Sequence, residues 1–298
     1  MGQTTATILR GKPIAQEVME ELKEEVCDLT HRISRPPGLG VVLVGDDPAS
    51  EVYVRNKERA CQELGIRTFD HHLPGTVSEE HLLGLVTSLN RDPAVNGILI
   101  QLPLPPHIRE EEVLHAIAPE KDVDVFHPDN FGKLALNVGT FRPCTPAGVV
   151  ELLHRSDVEM AGKHAVIVGS SKIVGLPLSL LLLYEGCTVT LCHIKTHDVP
   201  ALARQADILV AALRVPRFIK ADMVKEGAAV VDVGINRIGG KLVGDVDFDS
   251  VKEKASYITP VPGGVGPMTV AMLMRNTVRA FRAQVLGEGP APPVRMLE

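Results

Sequence analysis

Tryptophan is absent from the 298-residue chain and aromatic residues make up only 3% of it. Any core must therefore be aliphatic, built from Val, Leu, Ile and Ala, a palette that suits strands buried on both faces of a parallel sheet. Cysteine is scarce. Cys27, Cys61, Cys144, Cys187 and Cys192 form no CxxC pair, and this odd set reads as reduced thiols, not as a disulfide framework. His and Cys do not cluster at ligand spacing; the pair Cys192-His193 is too little for zinc, and no metal is expected. A strongly basic block is also missing: 31 basic residues face 37 acidic ones, for a net charge of -6. That balance argues against a nucleic-acid partner. No apolar run is long and uninterrupted enough to span a membrane. The opening MGQTTATILRGK lacks the basic segment and apolar stretch of a secretory signal, and its Met-Gly start alone is weak evidence of lipidation. The expectation is a cytoplasmic protein with neither membrane nor nucleic-acid partners.

What is present is 45% hydrophobic residues in a chain long enough for two α/β domains. A helix is expected over about 12–30, a buried strand at 39–45, and a helix from a Ser50 cap to about Leu64. A strand at 66–72, a helix at 78–90, an apolar strand within 96–105 and a helix at 108–117 complete the first alternating block. Residues 119–146 show little periodicity and many turn formers, as a domain boundary bearing functional loops would. After a helix near 146–155, a second block opens at His164. Strands are expected at 164–169, 188–193, 207–212 and 228–234, with helices through Tyr184 and at 198–205. A further extended piece at 242–246 and a helix at about 267–284 follow, and the end of the chain reads as loose.

The strand HAVIVG runs into Gly169-Ser170-Ser171-Lys172-Ile173-Val174-Gly175. The run does not match GxGxxG, yet strand, glycine turn and helix are in the right order to aim helix-end amides at a pyrophosphate. It also suits an ordinary strand–helix connection. The next strand ends in His193, Lys195 and Thr196 without the acid that holds the ribose of NAD, which favours a phosphorylated ribose and NADP. In the first block, Tyr53 and Lys57 lie four apart on one helix face. A lysine held there out of water would have a lowered pKa and could carry protons; within RNKER it could equally be a solvated charge. Gln101 ends an apolar strand, where α/β ligands bind. Asp122 and Asp124 share a face if extended, and either could cap a turn or accept from a heterocycle. Pro260–Pro267 is a rigid loop of small residues, able to lie along a ligand ring or to act only as a tight connection; Thr269, just beyond it, is in reach of helix capping.

Taken together, PASEVYVRNKERACQELGI, GILIQLPLP, KDVDVFHP, RPCTPAG, HAVIVGSSKIVGLP, DVGIN and YITPVPGGVGPMT resemble the methylenetetrahydrofolate dehydrogenase/cyclohydrolase family, over about residues 7–284. The resemblance implies a two-domain α/β fold: a three-layer folate domain at 1–145, completed by the helix 267–284, and a Rossmann-like parallel-sheet cofactor domain at 146–266. The active site would lie in the cleft between them, and residues 285–298 would form a flexible tail. It implies oxidation of 5,10-methylenetetrahydrofolate with NADP, NAD remaining possible, and hydrolysis of the methenyl product to 10-formyltetrahydrofolate by a homodimer. Lys57, Gln101, Asp124 and Tyr53 match the family's catalytic and folate-binding positions, with Pro262 and Gly263 against the pterin. Gly169, Ser170, Ser171, Ile173, His193, Arg214, Ile235 and Thr269 fall on the cofactor side.

Four departures stand out. Val125 and Arg214 stand where the family commonly has glycine, Arg59 replaces a common lysine, and Ser170 replaces an arginine that can hold the 2'-phosphate. Arg214 would strain the backbone if φ there is positive; it could contact a cofactor phosphate, or obstruct the site and leave mainly a cyclohydrolase. An amino-acid or hydroxy-acid dehydrogenase and a non-catalytic folate or nucleotide binder are the rival readings.

Overall fold

A computed structural model describes residues 6–289. The N-terminal Gly2 and residues 290–298 of the expected tail lie outside them. Among the described residues the chain divides into two compact units: residues 17–144 with 270–289, and residues 6–16 with 145–269.

The first unit is built on a three-stranded parallel sheet in the order Arg67–Leu73, Gly38–Val44, Gly97–Ile100. All seven residues of the central strand GLGVVLV are buried, as expected of a strand paired on both edges and covered on both faces. The edge strand RTFDHHL instead mixes exposed and half-buried residues. Helix Glu79–Arg91 turns Leu82, Val86 and Leu89 inward, where they meet Val42, Ile98 and Ile100. Helix Pro48–Leu64 starts at an Asp47 cap, not at Ser50: Asp47 Oδ2 accepts from the Ser50 amide at 2.8 Å and from its hydroxyl at 2.8 Å. Aspartate at N-cap followed by Pro at N1 is a stronger start than serine two residues inside the helix.

The second unit holds a six-stranded sheet in the order Thr7–Ile8, Tyr257–Ile258, Ala229–Asp232, Ile208–Ala211, His164–Val168, Thr188–Cys192, parallel throughout. From His164 onward the strand order is that of a doubly wound sheet, reversing between His164–Val168 and Ile208–Ala211. The crevice beyond the carboxyl ends of those two strands is where such sheets bind ligands. The N-terminal strand Thr7–Ile8 thus belongs to this sheet and not, as expected, to the folate unit.

Inside the segment read as a loop, Pro128–Ala135 is a helix capped by His127, whose Nδ1 accepts from the Asp129 amide at 3.1 Å. The last helix begins at Val265 and runs to Leu286, so Thr269 lies one turn inside it and caps nothing. Its hydroxyl instead sits 3.0 Å from that of Thr145. Among the described residues, no helix is long and apolar enough to cross a membrane.

Candidate active site

On helix Pro48–Leu64, the inward stripe runs Tyr53, Lys57, Cys61, the first two half-buried and Cys61 fully buried. The charged residues around Lys57 do not share its fate. Arg55 pairs with Glu51 and Arg59 with Glu63 along the exposed side, so Lys57 is the one basic group of RNKER turned inward. Cys61 anchors the stripe, its Sγ 3.5 Å from Met274 Sδ, and burial pushes its thiol up to about 12.

Lys57 Nζ donates to Gln101 Oε1 at 3.1 Å. Gln101 is fixed from both ends: its amide N–H donates to Val42 O at 2.9 Å, continuing the sheet ladder past the strand end, and its Nε2 donates to Leu102 O at 2.7 Å. The side-chain oxygen is therefore the group left to face the lysine. Burial lowers the Lys57 pKa below the ordinary lysine value, and Asp124 is the largest influence opposing that shift. An amine desolvated in this way is neutral, and so able to accept a proton, at lower pH than an ordinary lysine, as a proton carrier requires.

The two aspartates left open by the sequence divide their roles. Asp122 is buried and accepts from the amides of Phe126 and His127 at 3.1 and 2.9 Å and from Asn130 Nδ2 at 2.9 Å. Its work is structural: it ties down a turn in which Val125 adopts φ 66°, a conformation that is a genuine outlier for a β-branched residue. Asp124, within that turn, is half-buried and lies in the field of Lys57 and Cys144.

Cys144 and Asn276 belong to the same cluster and were not anticipated. The buried Cys144 thiol donates to Val123 O at 3.3 Å, and Asn276 Nδ2 donates to Val123 O at 2.7 Å and to Arg142 O at 2.8 Å. Burial, followed by Asp124, pushes the thiol well above its usual range, so it remains protonated and acts as a donor. Cys144 carried a legible hint in RPCTP; Asn276, far along the chain on an apolar helix, carried none.

The crevice of the other unit collects the cofactor candidates. Gly169 follows strand His164–Val168 with φ 125°, and a Cβ there would stand 2.1 Å from Ala212 O. A Cβ on Gly175 would stand 1.7 Å from Gly169 O. Only glycines let this turn close and the helix Gly175–Tyr184 begin directly beneath it. Val174 at that helix's N-cap supplies no side-chain acceptor; the Leu176 amide already donates to Ser171 O at 3.1 Å and Pro177 has no N–H, which leaves the Gly175 amide as the first-turn donor for an anion. Ser171 Oγ accepts from the Val174 amide at 3.2 Å, holding the turn, while Ser170 is exposed and Ile173 half-buried.

At the end of the next strand, His193, Ile194 and Lys195 are exposed and no acid stands beside them. The acid that follows, Asp198, spends its carboxylate on the Ala201 amide as a helix cap. A backbone cradle with His193 and Lys195 at its rim, and no acid between Thr190 and His197, fits a dinucleotide whose ribose carries a phosphate. Ile235 is exposed after strand Ala229–Asp232. Arg214 is exposed with φ 60°, the left-handed conformation suspected from the sequence. Pro262 and Gly263, φ 102°, form the small-residue loop of this same unit, where Gly263 O accepts from the Gly11 amide at 2.9 Å. The structure thus groups Lys57, Gln101 and Asp124 in one unit and Gly169 through Ile235 in the other.

Two family models match the chain: the catalytic domain of tetrahydrofolate dehydrogenase/cyclohydrolase over residues 9–124 and its NAD(P)-binding domain over residues 143–285. A bifunctional protein FolD of Aquifex aeolicus is 55% identical over 93% of this chain and 96% of its own length. A bifunctional methylenetetrahydrofolate dehydrogenase/cyclohydrolase structure from Campylobacter jejuni is 49% identical, with TM-score 0.91 over 94% of this chain and all of its own. The Trypanosoma brucei enzyme, solved with NADP and an inhibitor, is 41% identical with TM-score 0.91 over 95% of this chain and 99% of its own.

Proposed function

The chain belongs to the tetrahydrofolate dehydrogenase/cyclohydrolase family, and from that premise we propose how its residues divide the family's two reactions. It oxidises 5,10-methylenetetrahydrofolate to the 5,10-methenyl form with NADP and hydrolyses the methenyl form to 10-formyltetrahydrofolate. NADP, when bound, supplies the hydride acceptor. The Gly169–Gly175 turn, with the Gly175 amide at the helix start, holds the pyrophosphate, and Ser170, Ser171, Ile173, His193, Arg214 and Ile235 shape the rest of that site. Thr269 has the weakest case among the expected cofactor residues, because its hydroxyl is already bonded to Thr145.

In the folate unit, Tyr53 offers its ring to the pterin and Asp124 accepts from the pterin amino edge. Hydride loss from the bridge carbon leaves a cation delocalised over N5, the bridge carbon and N10, and the Asp124 carboxylate favours that charge. No proton moves in this step, so it asks of the chain only alignment and electrostatics. Hydrolysis does require proton transfer. Water adds to the bridge carbon, and the neutral Lys57 amine takes the proton that water gives up. The carbinol hydroxyl then gives up its proton as its oxygen becomes the formyl C=O and the bond from carbon to N5 breaks; N5 takes up one proton, so that one proton is released overall, and the formyl group stays on N10. Gln101 holds the amine in place without adding charge, which keeps its pKa low.

The observation that carries this reading is the desolvated Lys57 amine bonded to a neutral Gln101 oxygen at 3.1 Å. The resemblance to the family also supports a homodimer working in the cytoplasm. The experiment is to replace Lys57 with Met and assay both reactions: methenyl hydrolysis falls while NADP reduction persists. Equal loss of both would refute the assignment of Lys57 to the proton.

A further inference from the structure

Two buried carboxylates stand behind the cofactor crevice, and neither reaction above uses them. Asp232 ends strand Ala229–Asp232 at 4% exposure, and Asp245 is fully buried. Asp245 Oδ2 accepts from two consecutive amides, Leu213 at 2.6 Å and Arg214 at 2.9 Å, while Oδ1 accepts from Asn236 Nδ2 at 2.8 Å. Asp232 fixes Asp245 in turn: its Oδ1 accepts from the amides of Gly234 and Asp245, each at 2.9 Å, and its Oδ2 from Val246 at 2.9 Å.

All four carboxylate oxygens are engaged by donors, so the pair is not a vacant cation site. The surroundings are built around them as well. A Cβ on Gly234 would stand 2.2 Å from Asp245 Cγ, and one on Gly244 would stand 1.8 Å from Asp232 Oδ2. What the pair acts on is the loop after strand Ile208–Ala211, on one side of the strand-order reversal, whose Ala212 oxygen packs against Gly169. In that loop Arg214 is held at φ 60°, an uncommon conformation for an L-residue and one that costs backbone strain.

We propose that Asp245 is a positioning residue of the dinucleotide site: its carboxylate draws the Leu213 and Arg214 amides together and so sets the crevice wall opposite Gly169, with Asp232 locking Asp245 from behind. The inference rests on reading that crevice as the NADP site. Backbone bonds tie down the ends of the loop, Ala212 N to Val168 O at 2.8 Å and Arg217 N to Gly244 O at 3.1 Å; between them, because Arg214 is not glycine, the left-handed turn leans on the Asp245 anchor. A glycine at 214 would hold the turn unaided.

The test is NADP affinity by calorimetry, with KM and kcat for both reactions, in Asp245→Ala, Asp245→Asn, Arg214→Gly and the Asp245→Ala/Arg214→Gly double variant. Losing an ionised acceptor from two amides predicts that Asp245→Ala weakens NADP binding about tenfold or more. In Asp245→Asn, one amide oxygen can still accept from both amides, and the loss stays within about threefold. In the Arg214→Gly background the Asp245→Ala loss also shrinks to about threefold, a coupling that a general structural defect would not produce. In Asp245→Ala and Asp245→Asn, methenyl hydrolysis, whose proton-handling residues Lys57 and Gln101 lie in the other unit, stays at the wild-type rate.

An Asp245→Ala variant that hydrolyses normally and binds NADP within about twofold of wild type overturns the proposal, as does an undiminished loss in the double variant. If Asp245→Ala does not fold, Asn236→Ala decides: a loss of about threefold in NADP affinity supports the anchor, and no change refutes it. Wild-type protein that fails to reduce NADP would refute the functional reading itself, a result distinct from any of these.

Discussion

Replacing Val125 and Arg214 by glycine should move stability in opposite directions, although the two backbones are nearly identical. Val125 has φ 66° and Arg214 φ 60°. Each left-handed L-residue costs about 1–2 kcal/mol, which glycine removes. Glycine itself costs roughly 0.5–1 kcal/mol in unfolded-chain entropy. For exposed Arg214 nothing else changes, so Arg214→Gly should stabilise the chain by about 0.5–1 kcal/mol. Val125 is 4% exposed, and deleting its side chain forfeits about 1.5–3 kcal/mol of burial. The sum makes Val125→Gly destabilising by about 1–2 kcal/mol despite the relieved strain. Scanning calorimetry without ligands would read these as a rise of about 2 °C for Arg214→Gly and a fall of about 3–5 °C for Val125→Gly. A fall for Arg214→Gly would show that the arginine is held by contacts that outweigh its backbone strain and would refute the reasoning.

Further outcomes follow from the same geometry. The rate of methenyl hydrolysis should rise with pH through a pKa below the ordinary lysine value, because burial of Lys57 disfavours its charged form and the base is the neutral amine; a limb at or above the free-lysine value would place Lys57 in water. Gln101→Glu sets a carboxylate where the 3.1 Å bond now meets a neutral oxygen. It should move that limb upward by about a unit or more, lowering hydrolysis at neutral pH while NADP reduction changes less. Asp124→Asn removes the largest influence opposing the Lys57 shift, so the limb should move lower while the KM for folate rises. Bound at about a hundredfold over its Kd, NADP should add about 2.7 kcal/mol to stability, measurable as a shift of the thermal transition of the cofactor unit.

How much of this was legible in the sequence depended on how local each cause was. The central strands were plain because GLGVVLV and HAVIV are unbroken apolar runs. The left-handed φ at Arg214 could be suspected because a glycine position was occupied by something else. Lys57 could be placed on a face with Tyr53, but its orientation could not: RNKER looks solvated until the ion pairs of Arg55 and Arg59 take the outer side. The helix Pro128–Ala135 was hidden because it is short and depends on Asp122, whose partners form only when the turn closes. The hairpin pairing Asn236–Ile238 with Lys241–Val243 was signalled by Gly239-Gly240, both at positive φ, a two-residue turn of the type such hairpins prefer; only its second half was read as extended. Thr7–Ile8 is a two-residue strand with no pattern of its own, and its partner lies at the far end of the chain. Asp232 and Asp245 sit in DVGIN and GDV as ordinary polar breaks, and only the sheet brings them together.

The most direct test of the account is to follow the purified chain and its Lys57→Met variant by absorbance, with methylenetetrahydrofolate and NADP in one cell and the methenyl form alone in another. The wild type is expected to reduce NADP and hydrolyse the methenyl bridge, whereas Lys57→Met still reduces NADP but loses hydrolysis by about 10²–10⁴-fold. Hydrolysis that survives in Lys57→Met, or a wild type that reduces no NADP, would contradict it.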